Sequence, residues 1–194
     1  MDMENCERKR PVHLPNVVRR NTPTIVFVTV CAANRAVNTF ATDAMHELVR
    51  NAWTSAGSHI VGAYMLMPDH VHLFCAPASL EAENVAGWVR YWKSLVMRDV
   101  RGRPAGGARV CAPGCADGQT PVPPVLRPDL RCGEGRADAR QPSLFQRDCW
   151  DTQLRRGESY HDKWEYVRNN PVRRGLAASP EAWPYGGVMH ELIW

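Results

Sequence analysis

The stretch HIVGAYMLMPDHVHLFCA, residues 59–76, decides the fold, because its two apolar halves and the turn between them predict a β-hairpin. Residues 59–67 and 70–76 are long enough for strands and contain no proline. Pro68 and Asp69, which separate these two segments, favour a tight turn. A connection of two residues joins antiparallel strands, so the segment predicts an antiparallel sheet.

The segments on either side of the hairpin have the patterning of two more strands and three helices. Thr42 or Asp43 can cap the first helix, and Pro171 is expected to end the last one, since proline disfavours helical backbone in the residue before it. Strands are predicted over residues 24–31 and 144–150, and helices over about 43–55, 81–100 and 158–170.

The order of these elements is strand, helix, strand, strand, helix, strand and one more helix. That order is typical of the ferredoxin-like (split βαβ) fold. We therefore expect an α+β protein with an antiparallel four-stranded sheet, helices on one face and a further helix at the C-terminus. The functional groups are expected on the face of the sheet that the helices leave open.

The chain has 194 residues, which is enough for one domain with a buried core, predicted over residues 23–190. Residues 101–142 stand apart, because 14 of these 42 positions are glycine or proline against 15 in the other 152. We expect this segment to be an insertion rich in Gly, Pro and Arg that interrupts the domain. Residues 1–22, with clusters of arginine, are predicted to form a basic N-terminal arm.

Composition narrows the class of protein. A formal net charge of +4 permits a nucleic-acid partner without requiring one, and no apolar run approaches the ~20 residues that span a bilayer. Seven cysteines, an odd number, predict reduced thiols in a cytoplasmic protein. Zinc binding by Cys111, Cys115, Cys132 and Cys149 is an alternative, although their spacing is not that of a zinc finger.

His70 and His72 form the first candidate site. Alternate residues of a strand share a face, so the two imidazoles point the same way and can bind one divalent cation. The alternative is that the pair is accidental and one histidine is an ordinary surface residue. Two ligands do not make a metal site, and a third group is needed.

The last predicted helix offers such a group. Tyr166 and Asn170 are four residues apart and therefore lie on one helical face, where a phenol and an amide oxygen can face the histidines together. Tyr160 lies on roughly the opposite side of that helix and is expected to pack. Taken alone, Tyr166 and Asn170 also fit a buried tyrosine near the end of a helix.

Four motifs in a fixed order resemble the REP-associated tyrosine transposases, which belong to the single-tyrosine, His-hydrophobic-His transposases of small insertion sequences. The resemblance covers about residues 24–100 and 144–187. The motifs are MLMPDHVHLF at 65–74, FQRDCWDTQLR at 145–155, KWEYVRNNPVRRGLA at 163–177 and WPYGG at 183–187.

The resemblance implies a transposase that cleaves and rejoins single-stranded DNA carrying palindromic hairpin repeats. It implies that Tyr166 is the nucleophile, which forms a covalent 5′-phosphotyrosine, and that His70, His72 and Asn170 hold Mg²⁺ or Mn²⁺. The family's relatives act as a monomer or a homodimer, and both states stay open here. Asp69 is next to His70 in the sequence and can hold the metal-binding histidines in place by hydrogen bonding.

Three arginines lie beside the proposed site in the sequence: Arg168, Arg173 and Arg174. They are candidates for binding DNA phosphates, and a solvated helix end is the alternative. Two other functions stay open at this point. The first is a non-catalytic nucleic-acid-binding module, since ferredoxin-like sheets also form RNA-binding domains. The second is a metal-dependent nuclease that uses water as the nucleophile.

Overall fold

The computed structural model describes residue 13 and residues 18–19, 22–79, 81–102, 142–154 and 160–192. Most of the predicted N-terminal arm and of the insertion at 101–142 lies outside these residues. The division of the chain into an arm, a domain and an insertion therefore stays a prediction. Among the helices of the described residues, none is long and apolar enough to cross a membrane.

The centre of the fold is a five-stranded antiparallel sheet with the strand order β6-β3-β5-β4-β7. Its strands are β3 (Val26–Cys31), β4 (His59–Met67), β5 (His70–Pro77), β6 (Trp150–Gln153) and β7 (Gly186–Val188). Two short strands, β1 (Val18–Arg19) and β2 (Thr22–Pro23), pair separately. The helices are α1 (Asp43–Ser55), α2 (Val85–Val100), α3 (Tyr160–Arg168) and α4 (Asn170–Arg173), with a 3₁₀ turn at Pro180–Ala182. The predicted α+β class is confirmed.

Helices α1 and α2 cover one face of the sheet. Strand β3 alternates buried and half-buried residues, and its valines face these two helices. Trp53, Trp88 and Trp92 fill the layer between the helices and the sheet and are at most 2% exposed. The predicted cap of α1 is present, because the Thr42 hydroxyl accepts a hydrogen bond from the backbone N–H of Met45.

The opposite face is not as open as predicted, because α3 packs on part of it. Val167 of α3 is fully buried in a second apolar cluster with Met65, Met67 and Phe74 of the sheet. His72 is paired with Met65, and His70 with Met67, across strands β5 and β4. Cross-strand partners share a face, so both histidines lie on the side of the sheet that carries α3.

Two boundaries differ from the prediction. The fourth strand is Trp150–Gln153 and not 144–150, because Arg147, which in a strand would share a face with the buried Phe145 and Cys149, is exposed. Before that strand, a single bridge joins Ala32 and Phe145. Pro171 does not end the helical backbone; it lies in the first turn of α4, where its missing N–H is not needed.

The sheet also has a fifth strand, β7, which the sequence did not predict. Two of its three residues are glycines, which disfavour strands, so the propensity pattern carries no signal there. Gly186 leaves room for the end of the Met65 side chain, because a Cβ atom at this position would lie 2.8 Å from Cε of Met65 and would have to displace it. The closing WPYGG motif thus supplies an edge strand beside β4.

Candidate active site

His70 and His72 converge at the start of β5. Their Nε2 atoms are 3.1 Å apart, and the two rings meet edge to face with centroids 4.5 Å apart. His70 is buried, with 7% of its surface exposed, and His72 is half-buried. The predicted juxtaposition of the two imidazoles on one face is therefore present in the structure.

Asp69 supports the pair from the turn between β4 and β5. Its Oδ1 accepts hydrogen bonds from Nδ1 of His70 at 2.8 Å and from Arg174 at 2.6 Å, and its Oδ2 accepts from Arg35 at 2.8 and 3.0 Å. Burial opposes ionisation of this carboxyl, but the hydrogen bonds from Arg174, Arg35 and His70 outweigh it and hold the pKa of Asp69 well below its usual range.

The Asp69 carboxylate fixes which nitrogen of His70 carries the proton. An ionised carboxylate can only accept, so Nδ1 of His70 must donate and Nε2 keeps its lone pair. This is the arrangement in which a metal-binding histidine is held by a second residue.

His72 is held from its other side. Its Nδ1 lies 2.9 Å from the Thr29 hydroxyl, which can donate or accept, and its ring stacks on Phe27 with centroids 5.2 Å apart. Burial, with smaller effects from the neighbouring positive charges, lowers the pKa of His72 to about 3. Burial also lowers the pKa of His70, although Asp69 works against it. Both imidazoles are therefore neutral at pH 7.

These groups fit a divalent cation. Two nitrogen ligands at ~2.1 Å from one ion, at a right angle, are about 3 Å apart, and the two Nε2 atoms have this separation. Asn170 is buried at 8% exposure, but its Oδ1 accepts a hydrogen bond from Arg173. The amide oxygen has a second lone pair that could bind an ion, with the positive charge of Arg173 beside it.

Tyr166 and Tyr160 have opposite environments. Tyr166 is 59% exposed, and the guanidinium of Arg173 lies 3.9 Å from the centre of its ring. Tyr160 packs edge-on against Phe74 in the second apolar cluster, and its hydroxyl accepts a hydrogen bond from the backbone N–H of Ala63 at 3.4 Å. Burial raises the pKa of the Tyr160 hydroxyl. Tyr166 therefore combines exposure with a neighbouring positive charge.

The three predicted DNA-binding arginines occupy different places. Arg173 contacts Tyr166 and Asn170, and Arg174 reaches Asp69 behind the histidine pair. Arg168 belongs to neither group, because it donates to Glu165 at 3.0 Å and to Glu181 at 2.7 Å on the other flank of α3.

Sequence reasoning missed two residues of the site. Arg35 and Thr29 contact Asp69 and His72, and neither belongs to a motif. Only Thr29 had a signal in the sequence, because it is a hydroxyl residue in a strand of valines; in the sheet it is paired with His72.

A second group of possible metal ligands lies at the edge strand β6. His13, Cys149 and Asp151 have ligand atoms within 4.8 Å of one another, and His13 hydrogen-bonds to Asp151. Of the four cysteines considered for zinc, only Cys149 is among the described residues. Among the described residues, Cys31, Cys75 and Cys149 are free thiols.

Comparison with known proteins gives a likeness in structure. No protein-family model matches the chain, and no curated protein matches it. Among solved structures, the chain is similar to a REP-associated tyrosine transposase bound to a REP hairpin. The TM-score is 0.59, the sequences are 14% identical, and the match covers 92% of this chain and 81% of that chain.

The chain has the fold of that transposase. At 14% identity the likeness concerns the fold alone, and it confirms the predicted antiparallel α+β architecture. The roles of Tyr166, His70, His72 and Asn170 stay predictions.

Proposed function

We propose that this protein is a transposase of the REP-associated tyrosine family, which cleaves and rejoins single-stranded DNA that carries a palindromic hairpin. The observation that carries the proposal is the convergence of two neutral imidazoles, His70 and His72, on the face of the sheet where α3 lies. The fold of a solved transposase of this family, bound to a DNA hairpin, supports it.

Tyr166 is the proposed nucleophile. Its phenolic oxygen forms a bond to the phosphorus of the scissile phosphodiester, and the bond from phosphorus to the 3′ oxygen breaks. The phenolic proton ends on that 3′ oxygen, which leaves a 5′-phosphotyrosine and a free 3′-hydroxyl. The phosphotyrosine conserves the free energy of the broken bond, so a 3′-hydroxyl can reverse the step and join new ends without ATP.

His70, His72 and Asn170 would hold Mg²⁺ or Mn²⁺, which when bound polarises a nonbridging phosphate oxygen. Imidazole nitrogen favours Mn²⁺ in affinity, and Mg²⁺ keeps its preference for oxygen. Asp69 keeps the lone pair of His70 directed at the ion, and Thr29 can do the same for His72 by accepting from its Nδ1.

Arg173 and Arg174 supply positive charge where the phosphate must bind. Both lie within electrostatic range of His72, and both are largely exposed. Arg173 also covers the ring of Tyr166, so it can hold the phenol and meet the phosphate at once. The proposed partner of this surface is a DNA single strand, and attraction to its backbone charge would supply much of the affinity.

The test is a denaturing gel of the purified protein with a labelled, hairpin-bearing single strand that carries the repeat beside the gene. With Mn²⁺ we expect a band shifted by covalently attached protein, and with EDTA we expect none. Cut DNA without an adduct would indicate a nuclease that uses water. Binding in a native gel without any cleavage would indicate a non-catalytic binding module.

A further inference from the structure

A cavity of about 210 Å³ lies beside α3, on the flank away from Tyr166. Its wall residues include Trp164 and Arg168, which are one helical turn apart on α3. Tyr166 is two residues from each of them. At ~100° per residue it is rotated by ~200° around the helix axis, which places it on the opposite side of α3. The cavity lies on the face of the sheet that carries the histidines, because Met65, one of its wall residues, is paired with His72 across strands β4 and β5.

Two indole rings form the apolar part of the cavity. Trp183 is anchored, because its Nε1 donates to the carbonyl oxygen of Leu66 at 2.9 Å. Trp164 packs edge-on toward Phe74 with centroids 6.3 Å apart. Gly186, which lacks a side chain, completes the floor beside Met65. Both rings are half-buried. Part of each ring packs inside the protein, and the rest is accessible to a ligand.

The rim of the cavity is polar. The Nη2 atom of Arg168 lies 2.7 Å from Oε1 of Glu181, and Glu181 is largely exposed. An exposed ion pair of this kind contributes little to stability and can be rearranged by a ligand. The guanidinium offers donors, and the carboxylate offers acceptors, at the mouth of an aromatic cavity.

We propose that this cavity binds one unpaired base of the DNA strand, within a few nucleotides of the phosphate that Tyr166 attacks. The proposal rests on the proposed function. Every base has a π-face that stacks on indole, and a cavity with aromatic walls and a few polar groups is typical of base-binding sites. The volume suits a single base and not a base pair.

Glu181 decides which base is preferred. Its carboxylate accepts from an exocyclic amino group, as acidic side chains do from N4 of cytosine. Arg168 can donate to a ring nitrogen or carbonyl of the same base. Thymine has no exocyclic amino group, so it should bind more weakly than adenine, cytosine or guanine at this position.

The experiment uses full-length protein with the Tyr166→Phe substitution, so that binding is measured without cleavage. The probe is the hairpin-bearing strand with 2-aminopurine placed at each unpaired position in turn, since its fluorescence is quenched when it stacks. We expect strong quenching at one position on binding, and about 10-fold weaker binding when that position is made abasic.

Matched variants locate the quenching. Trp164→Leu should remove it, whereas Tyr91→Leu should not, because Tyr91 is an exposed aromatic residue on α2, which covers the other face of the sheet. Glu181→Gln, a change on the exposed rim, should remove the preference for cytosine over thymine and leave folding unchanged. Circular dichroism and melting temperatures show that each variant is folded.

Quenching at no position, or quenching that Trp164→Leu leaves intact in a folded protein, overturns the proposal. An adduct formed by wild-type protein without such quenching removes the base site and leaves the proposed function in place. Quenching that depends on Trp164, in a wild-type protein that forms no adduct, supports the base site and removes the proposed function.

Discussion

The Nη1 atom of Arg174 lies 2.6 Å from Oδ1 of Asp69, although 105 residues separate the two in the chain. Asp69 also binds the Nδ1 proton of His70, so one carboxylate joins the end of α4 to the histidine pair. Because α4 follows directly on the helix that carries Tyr166, this contact connects the proposed nucleophile with the proposed metal site. Its loss should therefore affect both.

Replacing Asp69 with asparagine tests this contact. Asp69→Asn removes the charge that Arg35 and Arg174 share and no longer forces Nδ1 of His70 to be the donor. We expect Mn²⁺ affinity to fall about 10- to 100-fold, as is typical when the residue behind a metal-binding histidine is lost. Isothermal titration calorimetry measures this Mn²⁺ affinity.

Asp148→Asn is the matched control for this change, because Asp148 is an exposed carboxylate outside the site. Its Mn²⁺ affinity should equal that of the unmodified protein. If Asp69→Asn bound Mn²⁺ as tightly as this control, the role assigned to the carboxylate would be wrong.

Arg173 is expected to act on the chemical step. Its guanidinium covers the ring of Tyr166 and hydrogen-bonds to Asn170, so Arg173→Ala should slow adduct formation by about 10-fold or more. Arg90→Ala, a change of an exposed arginine on α2, is the control and should leave the rate unchanged. Single-turnover gels give both rates, and equal rates would count against Arg173.

His59 should make stability depend on pH. It is buried against Trp88, its Nε2 has no hydrogen-bond partner among the described residues, and burial lowers its pKa to about 4. Above pH ~6.5 the imidazole is neutral in the folded and the unfolded chain. As the pH falls toward 4, only the unfolded chain takes up the proton, so the free energy of unfolding decreases by about 2 kcal/mol.

Urea unfolding at pH 7 and pH 4.5 measures this effect. His59→Phe keeps the ring against Trp88 but cannot titrate, so its loss of stability between the two pH values should be smaller than that of the wild type by about 2 kcal/mol. His190→Phe changes an exposed histidine and should behave as the wild type does. Parallel curves for all three proteins would rule out the contribution of His59.

The hairpin and both main helices were predictable because their signals are local. Strand β4 has the predicted bounds. The Thr42 cap and the apolar face of α2 each depend on residues that are only three or four positions apart in the sequence. The alternation of a strand was also enough to place His70 and His72 on one face.

What could not be predicted depends on tertiary contacts. Strand β7 contains two glycines and exists because β4 offers it an edge and Met65 fills the space of the missing side chain. Arg35 reaches Asp69 from a loop without a motif. The apolar cover that α3 gives to the second face, through Val167, likewise follows from packing and not from any short pattern.

The central claim, that Tyr166 forms the covalent bond to DNA, is tested most directly by mapping the adduct. After incubation with the hairpin strand and Mn²⁺, the DNA is digested with nuclease and the protein with protease, and the nucleotide-bearing peptide is sequenced by mass spectrometry. We expect the added mass on Tyr166, its absence in Tyr166→Phe, and its persistence in Tyr160→Phe. A nucleotide on Tyr160 or on any other residue, or an adduct formed by Tyr166→Phe, would contradict the account.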